Sequence, residues 1–331
     1  MGEARTWYRS KTLALVAAVL AVAAAVERLA PISGAIRLMR GTGARPSAPV
    51  RIGGAAYPRT AIDADDFTVR IARPARRIVS QYWSIDEFVY KVAPEDRIVG
   101  VSQSAYLENL SNVLDQVKRR RPEVAADPER VLRLNPDLVL VASSARADYT
   151  ALVRSTGAPT YRMFTVFTTL DEIAESIRLV GYLTGEDEAA EVERRRFIEA
   201  VERARRRRPA NAPRPRVFGL AGRTTYGRET LFHDVVETLG AINVGAEAGL
   251  RAYESVSTEQ VLRWNPEWII AGADPGKTKA ELERLMADPA IGLTQAARNG
   301  RILVLEYQML LPASPFVTAT LDVLGEALYG R

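Results

Sequence analysis

A fourteen-residue pattern that occurs twice constrains this chain more than any other feature. Residues 129–142 read ERVLRLNPDLVLVA and residues 259–272 read EQVLRWNPEWIIAG, the second copy beginning 130 positions after the first. In each, an E-x-V-L turn of helix is broken by an Asn-Pro pair. The apolar run behind it has the length and composition of a parallel strand buried on both faces. Weaker likeness surrounds the copies. RRIVS at 76–80 and RPRVFGL at 214–220 each read as an apolar strand after a basic turn, and each precedes a helical pattern. IDEFVYKVAP then leads to RIVGVS, as LFHDVVETLGA leads to INVG. Both halves are thus strand-helix-strand-helix-strand units, in which parallel pairing demands crossover helices layered on the sheet. The expected fold class is α/β, two Rossmann-like lobes with parallel-rich central sheets.

Between the halves lies GEDEAAEVERRRFIEAVERARRRRP, with no turn signal from Glu186 to Arg208. This predicts a single long helix of about 34 Å, acidic at its start and basic at its end as the helix dipole favours. An N-terminal lobe over 57–185, a bridging helix over 186–208 and a C-terminal lobe over 209–331 follow. The run Arg205 to Arg208 and KRRRP at 118–122 could meet nucleic acid or anionic lipid, but both suit solvated helix ends better.

Ahead of the lobes, Arg5, Arg9 and Lys11 precede the apolar run LALVAAVLAVAAAV at 13–26. A basic flank before an apolar run of this length predicts an export signal, cleaved or kept as an anchor, over 1–26. The aperiodic stretch over 27–56 reads as a flexible spacer. The expected location is the periplasm or the outer face of the membrane. Because the chain has no cysteine, disulfides, thiolate nucleophiles, thiolate metal sites and a lipidated cysteine are excluded. A single histidine, His233, excludes metal sites built from several imidazoles and reads as a helix residue packed behind the cleft. The net charge of +5, with both signs interleaved, does not give the lopsided footprint of a nucleic-acid binder. No G-x-G-x-x-G after a strand, phosphate-binding loop or G-x-S-x-G elbow occurs, so an enzyme would be left with scattered cleft carboxylates. DADD at 63–66 reads as a hairpin turn rather than a calcium loop.

Taken in order, Y-P-R-T at 57–60, the hairpin with D-A-D-D, P-x-R-R-I-V-S at 74–80, D-R-I-V-G-V-S at 96–102, the two E-x-V-L-x-x-N-P copies and one spanning helix resemble the periplasmic binding proteins for iron-siderophore, haem and cobalamin. The resemblance covers the chain from about residue 57 onward. It implies two lobes bridged by a rigid helix, a cargo-binding role in an ABC importer, no catalysis and no resident cofactor. The implied cargo is a ferric siderophore first, then cobalamin or another corrinoid, or haem. The implied partner is a membrane permease, met by a monomer through one glutamate on each lobe. By position these are Glu129 and Glu259. An enzyme on a doubly wound sheet and a basic surface or nucleic-acid-binding protein are the competing classes.

Residues behind the predicted strands should line the cleft, since ligands of open α/β sheets bind at the carboxyl ends of strands. The candidates are Tyr82, Trp83, Tyr106 and Arg146 in the first half, and Arg223, Tyr226, Tyr253 and Tyr307 in the second. Aromatic rings can stack on a flat ligand and arginines can clamp an anion. The resemblance adds a positional match for Tyr253, six residues before Glu259, where cobalamin binders carry an aromatic. Tyr82, Tyr226, Tyr253 and Tyr307 are also possible phenolate donors to a haem iron. Family members often follow the Ser-Pro pair of the last segment with arginine, whereas here Ser314-Pro315 is followed by Phe316.

Overall fold

Short apolar runs bounded by turn residues become the strands of two separate parallel sheets, as described by a computed structural model for residues 50–120, 123–124, 127–310 and 312–330. The expected export segment and the spacer as far as residue 49 lie outside those residues. The spacer ends earlier than residue 56. Strand β1 (Arg51–Ile52) pairs antiparallel with β2 (Arg59–Ile62), which pairs in turn with β3 (Thr68–Ile71). Two residues are too few to show a strand's period, and the pairing that fixes them is distant in sequence.

The first lobe alternates β4 (Ile78–Ser80), α1 (Trp83–Val92), β5 (Ile98–Ser102), α2 (Leu114–Arg120), β6 (Glu123–Val124), α3 (Pro128–Arg133), β7 (Leu138–Ala142), α4 (Ala147–Ser155) and β8 (Thr160–Met163). Its parallel sheet runs β6-β5-β4-β7-β8. Every residue of β7 and β8 is buried, which is why these strands carry no alternating pattern.

Helix α5 (Leu170–Thr184) opens with a capping box of Thr169 and Glu172 and closes at Gly185, where φ is +83°. A side chain at 185 would be strained by that φ and would also strike Pro74 and the Tyr57 hydroxyl. The chain thus turns sharply into α6 (Asp187–Arg205), 19 residues or about 28 Å long. Its buried stripe is Ala190, Phe197, Ala200, Val201 and Ala204. The helix stops short of Arg208 because the last arginines turn back to the protein. Arg207 donates to the Asp322 carbonyl and Arg208 to that of Ala212.

The second lobe follows with β9 (Arg216–Leu220), β10 (Thr224–Tyr226), α7 (Leu231–Thr238), β11 (Ile242–Asn243), α8 (Val244–Glu247), β12 (Tyr253–Ser255), α9 (Thr258–Trp264), β13 (Trp268–Ala273), α10 (Thr278–Ala287), α11 (Gln295–Arg298), β14 (Ile302–Glu306), α12 (Tyr307–Leu310) and α13 (Val317–Tyr329). Its sheet runs β11-β9-β13-β14, all parallel, while β10 and β12 form a separate antiparallel ribbon. Helix α6 packs on α1 and α5 of the first lobe and on α7 and α13 of the second, so it is held from both sides. No described helix is long and apolar enough to cross a membrane.

The duplication persists in the backbone. Helix α3 is capped by Leu134 and followed by Asn135, and α9 is capped by Asn265, both asparagines having φ of 45° in the left-handed region that asparagine tolerates better than most residues. Each is followed by the proline and then by an inner strand of its sheet, β7 or β13.

Candidate functional site

In both sheets the strand order reverses around one strand, β4 in the first and β9 in the second. The crevice beyond the carboxyl end of such a strand is where open α/β sheets bind ligands. Behind β4 comes Tyr82, the extended residue that precedes α1. Its ring lies 5.9 Å from that of Trp83, centroid to centroid. Trp83 is only 7% exposed and backs Tyr82, which presents the more accessible ring.

Behind β9, Gly222 and Arg223 form the turn into the β10–β12 ribbon. The register sets Tyr226 opposite Tyr253, with the rings edge to face at 5.8 Å. Tyr226 is 5% exposed and stacks at 4.7 Å on Phe232 of α7, leaving Tyr253 as the outer ring. Burial, and then the neighbouring Tyr82, push the Tyr253 hydroxyl up to about 12. Tyr226 is also raised, by burial first and then by Tyr253 and Tyr307. The structure therefore pairs Tyr82 with Trp83 in the first lobe and Tyr226 with Tyr253 in the second, each pair behind the strand where its sheet reverses order. The hydroxyls of Tyr82, Tyr226, Tyr253 and Tyr307 are neutral at pH 7, so metal coordination by any raised phenol would have to displace a firmly held proton.

Tyr307 opens α12 and covers Gly272 of β13, where a Cβ would come within 2.5 Å of its ring. The glycine at the end of the second duplicated pattern thus makes room for the Tyr307 ring. Arg223 is exposed and lines a cavity of about 350 Å³ together with Ser257, Glu259, Arg284 and Asp288.

Two other candidates are engaged elsewhere. Arg146 has a side chain 83% exposed and is gripped by Asp148 through two hydrogen bonds of 2.6 and 3.1 Å at the start of its own helix. Tyr106 turns into the first lobe, where its hydroxyl donates to the Val117 carbonyl at 3.4 Å. His233 lies half-buried on α7, and its Nδ1 has no partner among the described residues. In the DADD turn, Asp63 accepts from the N–H groups of Asp65 and Phe67, while Arg154, Arg162 and Arg51 neutralise the three carboxylates. Among the described residues no cluster of three or more His, Asp or Glu could hold a metal ion.

Glu129 and Glu259 are both exposed in the first turn of the twin helices. The capping is done by other residues. Asp127 accepts from the N–H groups of Glu129 and Arg130, and Ser257 forms a capping box with Gln260. The Glu259 carboxyl is held below its usual range, chiefly by a hydrogen bond from Ser257.

A pair of carboxylates that the sequence reading did not single out lies just behind Trp83. Asp86 and Glu87 are both fully buried. Asp86 accepts from the hydroxyls of Ser80 and Ser102 at the ends of β4 and β5, and burial nonetheless pushes it up to about 7. Glu87, pushed up to about 7 for the same reason, accepts from Asn112 and Ser314. Polar bridges between the lobes continue from Asn109 to Asp274 at 3.3 Å and from Asn112 to the Gln308 carbonyl at 3.1 Å. The visible signal was an Asp-Glu pair interrupting an otherwise apolar helical run, WSIDEFV.

Residues 78–308 match the family described as periplasmic binding protein. The chain belongs to that family. It is 24% identical over 278 residues to the cobalamin-binding protein of Halobacterium salinarum, covering 82% of this chain and 74% of that protein. It is 26% identical over 244 residues to the vitamin B12-binding protein of Pectobacterium carotovorum, covering 71% and 87%. Among solved structures, the periplasmic haem-binding protein RhuT of Roseiflexus superposes with a TM-score of 0.66 at 25% identity, covering 77% of this chain and 98% of that one. The two α/β lobes joined by one long helix are the class III fold of this binding-protein family.

Proposed function

We propose that this chain is the extracytoplasmic substrate-binding component of an ABC importer, capturing a corrinoid between its lobes and delivering it unchanged to a membrane permease. The observation that carries this reading is the placement of aromatic rings at the switch point of each sheet, Tyr82 behind β4 and the Tyr226–Tyr253 pair on the ribbon behind β9. Aromatic faces from two sides suit a large, flat macrocycle better than a compact polar solute. The relatives named for cobalamin and vitamin B12 support a corrinoid ahead of the ferric siderophore that the resemblance put first. Haem is the second reading, supported by the likeness to RhuT. Arg223 stands beside the cleft as the cation for a peripheral acidic group, and Glu129 and Glu259 are the docking carboxylates. The test is titration of the full chain with cyanocobalamin, haemin and ferrichrome. Binding of cyanocobalamin that is tighter than the others and weakened by Tyr253→Ala is expected. Tighter binding of ferrichrome, or turnover of any of the three, would overturn it.

A further inference from the structure

Helix α1 carries the proposed cargo residues at one end and a buried carboxylate one turn later. Oε1 of Glu87 accepts from the backbone N–H of Asn112 at 2.7 Å and from its side-chain amide at 2.9 Å. That amide also donates to the Gln308 carbonyl at 3.1 Å. Oε2 accepts from the Ser314 hydroxyl, 227 residues away in sequence. Gln308 belongs to α12, which packs on β13 and β14 of the second sheet, and Ser314 lies just behind it. We propose that Glu87 is a positioning residue, a latch between the lobes whose charge state sets how firmly the aromatic end of α1 is held to the C-terminal segment. The latch itself is read from these contacts, and only its effect on cargo release rests on the cargo reading of the cleft.

Among the described residues no cation pairs with Glu87. Asn112 and Ser314 are neutral, and Asp86 beside it repels. The Asp86 carboxylate is itself turned to Ser80 of β4 and Ser102 of β5. Lys91, one turn on, is drawn to Glu193 of α6 at 3.8 Å and to the Phe316 ring at 4.3 Å. Burial outweighs the hydrogen bonds, so the latched arrangement prefers the neutral carboxyl. Parting the segments would hydrate the group, and ionisation and unlatching therefore favour each other. A glutamine at this position would keep its carbonyl for Asn112 and turn its amide to Ser314, holding the latch at any pH.

The chain has no cysteine, so Arg133→Cys and Arg263→Cys, at equivalent exposed places in α3 and α9, can carry spin labels in the full chain. Without cargo, the distance between the labels is expected to be narrowly distributed at pH 5.5 and broader at pH 8.5. With Glu87→Gln it should be narrow at both, and with Ser314→Ala broad at both. In parallel, dissociation of cyanocobalamin should quicken about tenfold across that range and be flat in Glu87→Gln. A distribution that ignores pH, or shifts equally in Glu87→Gln, overturns the latch. The label measurement needs no cargo, so a failed cyanocobalamin titration would sink the cargo reading and leave this one standing on its own result.

Discussion

Arg77 and Arg216 close the same gap in the two lobes. Arg77 donates to the carbonyls of Leu134 and Asn135 at 2.6 and 3.0 Å, and Arg216 to those of Trp264 and Asn265 at 2.9 and 3.2 Å. Each guanidinium thus satisfies the last carbonyls of a duplicated helix from the start of the neighbouring strand. Arg77→Ala and Arg216→Ala should each cost about 1–2 kcal/mol in urea unfolding. Lysine should recover little, because one ammonium cannot span two carbonyls as a planar fork does. If both variants unfold at the parental urea midpoint, the caps contribute nothing.

Asp86 and Glu87 make stability depend on pH in an unusual direction. Both are pushed up to about 7, so the native protein keeps protons that the unfolded chain has lost. The stability they contribute is complete below the ordinary carboxyl range and is lost as pH rises toward about 7. Shifts of this size amount to at most ~4 kcal/mol for Asp86 and ~3 kcal/mol for Glu87. The urea midpoint should therefore be higher at pH 5.5 than at pH 8, and Glu87→Gln should flatten part of the difference. A midpoint that climbs with pH over that range would count against buried, proton-holding carboxyls.

The aromatic candidates should separate by readout. Tyr82→Ala and Tyr253→Ala are expected to weaken cyanocobalamin binding by about 1–3 kcal/mol, by analogy with bases stacked on aromatics, while leaving the melting temperature nearly unchanged. Trp83→Ala should instead cost about 3–5 kcal/mol of stability, as expected for a large ring removed from a packed site. Calorimetric titration and thermal melts of the three variants decide. Equal losses of stability would mean that all three rings are packing residues.

Glu129→Ala and Glu259→Ala should leave the urea midpoint essentially unchanged, because Asp127 and Ser257 do the capping and exposed charges contribute little. Uptake should fall in either variant and further in the double variant, since paired charges set encounter and orientation. Uptake that persists in the double variant at low protein concentration, with cargo affinity intact, would remove the docking role.

Much of the fold was legible because the duplicated pattern marks its own boundaries: helix, Asn-Pro stop, strand. The site was less so. Tyr226 and Tyr253 meet through a register across 27 residues, and strands of three residues leave no periodic trace. Arg146 carried a signal in Asp148 two residues later, the local partner that its guanidinium meets in the structure. Trp83 was placed at the right strand end, but which way a ring turns from a helix start is decided by packing alone. Glu87 was hidden for a related reason, since nothing in the sequence near residue 87 points to Ser314.

The two walls of the cleft are built to different stiffness. Tyr82 stands on a helix start welded to a five-stranded sheet, whereas Tyr253 rides on a ribbon of two three-residue strands outside the four-stranded one. A lone pair of short strands has little intrinsic rigidity. Under the cargo reading proposed above, the site would work as a vice with one fixed and one sprung jaw, taking up cargoes of unequal thickness on the side of Tyr253.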